Sequence, residues 1–185
     1  AREAVELYRR VGDEAGIGRA LWGLANTYYF DSRDSSGIAS AEEALQIFRR
    51  LGDRFMTAWS LYMIGLFNLP IDHTAVRRNF EEALPLFTET GDKSGYGLIF
   101  DGFATLEWAA GDVPRAVRLA GYAAAEEQSA GTGLARVNRE YARFFPETLT
   151  SDPELAEEYA EGQRLTLEQA TDLALHRDEP LRSDA

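Results

Sequence analysis

The sequence contains no cysteine, one lysine and two histidines among its 185 residues. Without cysteine the chain can form neither disulfide bonds nor thiolate metal sites, and this fits a cytoplasmic protein. His73 and His176 lie far apart, and neither has a helical neighbour that would complete a metal pair. One lysine and two histidines also leave too few groups for a nucleophile with its base. We therefore expect no enzyme, no metal and no cofactor.

Long apolar runs and strong basic clusters are also lacking. The apolar stretch at residues 61–71 is interrupted by Gly65, Asn68 and Pro70, and no run approaches the ~20 residues that span a bilayer. A formal net charge of −12 repels phosphate backbones, and the few arginine pairs lie on helices that need a solvated face. We therefore expect neither membrane contact nor direct binding of nucleic acid.

What the sequence does contain is an internal repeat, in which an alanine is followed by two large apolar residues and then by a glycine. The alanines are Ala4, Ala44, Ala83 and Ala123, spaced 40, 39 and 40 residues apart, and the glycines are Gly12, Gly52, Gly91 and Gly131. The apolar residues form one stripe on a helix, and glycine ends that helix in a left-handed conformation. The aspartates after the first three glycines, Asp13, Asp53 and Asp92, are suited to cap the next helix.

This spacing predicts antiparallel helix pairs joined by short turns. We expect helices near residues 1–11, 15–31, 35–51, 54–69, 73–90, 94–110, 113–130 and 133–144. After residue 146 the pattern changes, and two capping signals predict a helix from Ser151 to about Glu161 and another from Thr166. The expected organisation is a helical repeat domain at 1–146, C-terminal capping helices at 147–176 and a polar tail at 177–185.

By these residues the chain resembles the tetratricopeptide repeat (TPR) family. The best-matching unit carries Phe103-Ala104, then Gly111-Asp112, then the alanines of the next helix, although Glu107 replaces an aromatic residue and the period exceeds the family's ~34 residues. The resemblance covers about residues 1–131. It implies an all-α, right-handed α-α superhelix (a TPR-like solenoid) of antiparallel helix pairs with a C-terminal helical cap, and a domain that binds proteins.

The segment at residues 160–175 resembles the stretch that closes the repeat region in large actinobacterial regulators. In those proteins a predicted ATPase module precedes such repeats, often with a LuxR-type DNA-binding or a cyclase domain elsewhere. This chain begins directly on a helical pattern, without an initiator Met or a signal-like start. We therefore expect a fragment of a larger bacterial transcriptional regulator, whose partner is another protein or another domain of the full-length chain.

Candidate binding residues come from the first helix of each pair, which lines the concave side of tandem repeats. The register places there Arg19, Trp22, Asn26, Tyr29, Trp59, Tyr62, Asp101, Thr105 and Trp108. Tryptophan, tyrosine and arginine are the usual anchors of protein interfaces. The alternative is that the three tryptophans pack between adjacent repeats.

Three functions remain open from the sequence. The first is a non-catalytic protein-interaction and regulatory domain, and the second is an effector sensor that binds a small molecule in the concave groove. The third is self-association through the first helix, which has the register of the second half of a repeat. Because the first half of that repeat is missing, its apolar flank should be bare.

Overall fold

A computed structural model describes residues 2–31, 36–134 and 146–176, and within these ranges it contains helices and no strand. The α-helices are α1 (Arg2–Val11), α2 (Glu14–Asp31), α3 (Ser36–Leu51), α4 (Arg54–Asn68), α5 (His73–Thr90), α6 (Lys93–Ala110), α7 (Val113–Ala130), α8 (Glu147–Thr150), α9 (Ala156–Gly162) and α10 (Leu167–Ala174), with a 3-10 turn at Pro153–Leu155. The first seven helices, α1 to α7, begin and end within one residue of their predicted bounds. The predicted all-α class is confirmed for the described residues. The predicted helix at 133–144 lies mostly outside those residues, and the tail at 177–185 lies entirely outside them.

Glycine ends the repeated helices in the way the sequence predicts. Gly12, Gly52, Gly91 and Gly131 have φ angles of 70°, 68°, 66° and 67°, in the left-handed region that costs glycine no steric strain. An aspartate follows the first three of these glycines and precedes the next helix. The side chain of Asp13 accepts a hydrogen bond from Gly16 N at 2.9 Å, and that of Asp53 accepts one from Met56 N at 3.0 Å. A turn of two residues therefore separates α1 from α2 and α3 from α4.

The chain divides into two compact units, residues 1–92 and 93–185. The division falls at the Gly-Asp turn between α5 and α6, so the predicted repeat domain at 1–146 spans both units. In the first unit each helix packs against its neighbours in the chain, and α2 also contacts α4. We call α2, α4 and α6 the first helices and α3, α5 and α7 the second helices of the pairs. In the same register α1 holds the position of a second helix.

Small residues let the helices of the first unit approach closely. A Cβ atom on Gly18 of α2 would lie 2.9 Å from Phe48 Cζ and 3.0 Å from Ile47 Cγ2, both on α3. Gly65 of α4 lies in the same way against the ring of Phe80 on α5. Phe48 and Phe80 are completely buried, and each such ring contributes roughly 1.5–3 kcal/mol by leaving water. The recurring small and large residues therefore form the seam of each pair.

The second helices of the first unit are also connected by a repeated ion pair. Arg9 of α1 pairs with Glu43 of α3 at 2.8 Å, and Arg49 of α3 pairs with Glu82 of α5 at the equivalent positions. The hydrogen bond from Arg9 to Glu43 raises the pKa of Arg9 above its ordinary value. These ion pairs are exposed, so they add little stability. They show that successive helix pairs repeat the same contacts.

In the second unit α6 and α7 form a pair on which the C-terminal helices pack. Helix α9 crosses α7 at two glycines: a Cβ on Gly121 would overlap Tyr159 O, and a Cβ on Gly162 would overlap the backbone of Arg118. Helix α10 contacts both α6 and α7. It begins with the predicted capping box, in which Thr166 Oγ1 accepts from Gln169 N at 3.2 Å and Gln169 Oε1 accepts from Thr166 N at 2.9 Å.

Candidate functional site

Trp22 on α2 lies at the junction between two helix pairs. Its ring is half-buried and packs against the core formed by Leu21, Ile47 and Phe48 with their neighbours. The ring also makes an edge-to-face contact with Trp59 of α4, with centroids 6.2 Å apart and planes at 78°. Its indole nitrogen Nε1 is buried and has no hydrogen-bond partner in the part of the chain that the structure describes. Trp22 therefore connects α2 to α4 through ring packing alone.

Trp59 is fixed more firmly than Trp22. Its ring makes edge-to-face contacts with Tyr62 at 6.1 Å and with Phe87 of α5 at 5.4 Å. Its Nε1 donates a hydrogen bond of 2.9 Å to Asp92 Oδ2, just beyond the end of α5. A hydrogen bond to a carboxylate is stronger than one between neutral groups. The geometry therefore gives Trp59 a packing role, while its half-buried ring still reaches the surface.

The other predicted residues of the first unit differ in their accessibility. Arg19 is exposed on α2, one turn before Trp22, and Asn26 is half-buried one turn after it, with Nδ2 donating to Trp22 O at 2.9 Å. Tyr29 and Tyr62 are buried in the helix packing, where Tyr62 stacks on Phe80. The accessible part of the predicted face in this unit is therefore Arg19, Trp22, Asn26 and Trp59. We call these four residues the tryptophan face.

Three of the predicted binding residues belong to the second unit. Asp101 and Thr105 are buried on α6, and Thr105 Oγ1 donates to Asp101 O at 3.0 Å. Trp108 lies near the end of the same helix and is 38% exposed. Of these three side chains, Trp108 is the one that presents a large apolar surface to solvent.

Sequence reasoning missed the polar contacts that hold the C-terminal segment on α6 and α7. Glu107 on α6 is only 1% exposed, and its Oε1 lies 2.9 Å from Nε2 of His176. Buried Arg115 donates from Nη1 to Leu173 O at 2.6 Å and from Nε to Asp112 Oδ2 at 3.2 Å. The available signal was Glu107 itself, an acid at a position where the TPR resemblance expects an aromatic residue.

One pocket lies among α7, α9 and α10. It has a volume of about 230 Å³ and is lined by Arg118, Glu161, Leu165, Gln169, Asp172 and Leu173. Arg118 shares this lining with the acidic residues Glu161 and Asp172, and its buried Nε has no hydrogen-bond partner among the described residues. The pocket is smaller than the ~300–1,000 Å³ of most small-molecule sites.

The described residues contain no cluster of three or more His, Cys, Asp or Glu side chains arranged to hold a metal ion. Among the same residues no helix combines the length and the apolar character needed to cross a bilayer. Comparison of the chain with models of protein families, with curated proteins and with solved structures finds no match.

Proposed function

We propose that this chain is a non-catalytic protein-interaction domain of the TPR type and that the tryptophan face binds a protein or peptide. The observation that carries the proposal is the Trp22–Trp59 contact, which places two half-buried indole rings from successive first helices side by side. Exposed Arg19 stands on the same helix face, one turn from Trp22. Aromatic rings next to an arginine have the composition of interface hot spots.

Rigidity supports the same proposal. A partner gains affinity when the side chains that it meets are already held in place, because less conformational freedom is lost on binding. Trp59 is held by four ring contacts, with Trp22, Phe55, Tyr62 and Phe87, and by its hydrogen bond to Asp92. The two rings therefore present a fixed surface, and exposed Arg19 lies at its edge.

We further propose a regulatory role inside a larger bacterial transcriptional regulator in the cytoplasm, with the helix pairs continuing as a right-handed superhelix. This extension rests on the resemblance of residues 160–175 to the closing stretch of such regulators. In the second unit this stretch, as α9 and α10, packs on α7 and so covers the last repeated helix. A covered last helix is what a repeat array needs at its end, because terminal units must present a polar outer face.

The experiment compares the proteins captured from source cells by the unchanged chain and by two variants. Arg19→Glu reverses the charge at the edge of the tryptophan face, and Arg78→Glu makes the same change at an exposed position on α5. A specific partner should be lost, by about tenfold or more, with Arg19→Glu and retained with Arg78→Glu. Equal recovery of every captured protein by both variants would refute the tryptophan face as the binding site.

The second candidate, effector sensing, has less support. The pocket beside Arg118 is below the usual volume of ligand sites, and two carboxylates share its lining. A thermal-shift screen of small metabolites tests this candidate, because a ligand at 100 times its dissociation constant adds ~2.7 kcal/mol of stability. A reproducible rise in melting temperature that Arg118→Ala abolishes would favour effector sensing over protein interaction.

A further inference from the structure

One flank of α1 is exposed among the described residues, although the equivalent helices bury it. Leu7 is 51% exposed, whereas Ile47 at the same position of the next repeat is 4% exposed. Tyr8 is 36% exposed, whereas its equivalents Phe48 and Phe87 are completely buried. The repeat register therefore identifies an apolar flank of α1 that none of the described residues covers fully.

The second repeat shows which element covers this flank in a complete pair. There α2 lies against α3, and Gly18 of α2 faces Ile47 and Phe48 directly. Val5 of α1 is buried in the same core cluster as Phe48, so the opposite side of α1 is already in use. Among the described residues, no helix holds against α1 the position that α2 holds against α3.

A charge pattern identifies the chemistry of the absent helix. At the end of α3, Arg50 pairs with Glu14 at the start of α2. At the same position of the next pair the signs are reversed, since Glu89 of α5 pairs with Arg54 of α4. Arg10 is the equivalent of Arg50; it is exposed and forms no ion pair with any described residue. A complementary helix should therefore carry an acid in its first turn.

We propose that the flank of α1 formed by Ala4, Leu7, Tyr8 and Arg10 binds an amphipathic α-helix from outside the 185-residue sequence. This helix lies antiparallel to α1 and has the pattern of α2, with a carboxylate in its first turn next to Arg10 and a small residue opposite Leu7, as Gly18 lies opposite Ile47. The surface is distinct from the tryptophan face and does not depend on it.

The test uses the full chain and a fluorescent peptide that copies residues 13–31, with binding followed by fluorescence anisotropy. The unchanged peptide should bind, and its Glu14→Arg version should bind about fivefold more weakly, near the most that an exposed ion pair contributes. In the Arg10→Glu protein the order should reverse, so that the Glu14→Arg peptide binds better. Leu7→Ser should weaken both peptides at least tenfold, and Arg78→Glu should leave both affinities unchanged.

A second measurement covers the case in which the free peptide is too weakly helical to bind. A copy of residues 13–40 is fused ahead of residue 1, which keeps the repeat register, and the unfolding temperature is measured. The fusion should unfold at a higher temperature, and Arg10→Glu should reduce the gain.

Three results would overturn the proposal. The first is no peptide binding together with no stability gain in the fusion. The second is equal affinity of both peptides for both proteins. The third is a concentration-dependent dimer of the unchanged chain that Leu7→Ser abolishes, which would assign the flank to a second copy.

Discussion

Replacing Gly162 by alanine tests whether α9 lies backbone to backbone on α7. An alanine Cβ at this position would overlap the carbonyl oxygen of Arg118 and would lie 2.8 Å from its carbonyl carbon. These are backbone atoms of a long helix, so neither partner can move aside by rotating a side chain. Overpacking of this kind costs about 1–3 kcal/mol, against a gain of up to ~1 kcal/mol from the better helix propensity of alanine. We expect a net loss of about 1–2 kcal/mol.

The matched control is Gly23→Ala. Gly23 lies inside α2, and a Cβ there would meet no atom within 4 Å, so only the helix propensity changes. This variant should gain about 0.5–1 kcal/mol. Urea denaturation followed by circular dichroism gives both values, and for a unit of this size 1 kcal/mol corresponds to roughly 4–8 °C in melting temperature. If Gly162→Ala stabilises the protein as Gly23→Ala does, α9 does not cross α7 at this glycine.

Three further predictions concern single side chains. Trp59→Phe should cost about 1–2 kcal/mol because it removes the hydrogen bond to Asp92. Trp22→Phe should cost at least ~1 kcal/mol less, because it removes a buried donor that has no hydrogen-bond partner among the described residues. Equal losses in urea denaturation would contradict this. Burial, and then Glu126, raise the pKa of Tyr122 above its ordinary value. The contribution of Tyr122 to the free energy of unfolding is therefore fully present below its unfolded-state pKa of ~10, and above that pH it falls by up to about 1.4 kcal/mol per pH unit. The Tyr122→Phe variant should show a smaller fall in the free energy of unfolding between pH 9 and 11.5. Thr166→Ala should cost about 1 kcal/mol by removing the cap of α10, and an unchanged denaturation midpoint would argue against that cap.

Helix bounds could be predicted closely because the signals that set them are local. Gly52 needs no tertiary partner to favour a left-handed φ, and Asp53 caps α4 through a backbone N–H three residues away. The same local logic predicted the capping box of Thr166 and Gln169. The periodic alanines identified the buried seams, because Ala44 and Ala83 recur at the same register and both are completely buried.

The long-range polar contacts could not be predicted in this way. The partners in the Glu107–His176 contact are 69 residues apart, and no periodic pattern relates them. The hydrogen bond from Trp59 to Asp92 spans 33 residues and uses an aspartate that the sequence marked only as a helix cap. The burial of Tyr29 and Tyr62 was missed for a similar reason, because the register places a residue on a helix face but does not show how deep the next helix sits.

Hydrogen–deuterium exchange of the chain with a purified partner tests the proposed binding surface most directly. With the partner bound, we expect slower exchange in α2 and α4 around Trp22 and Trp59, little change in α3 and α5, and loss of the protection in the Arg19→Glu variant. Protection confined to α3 and α5, or identical protection in the Arg19→Glu variant, would contradict binding at the tryptophan face.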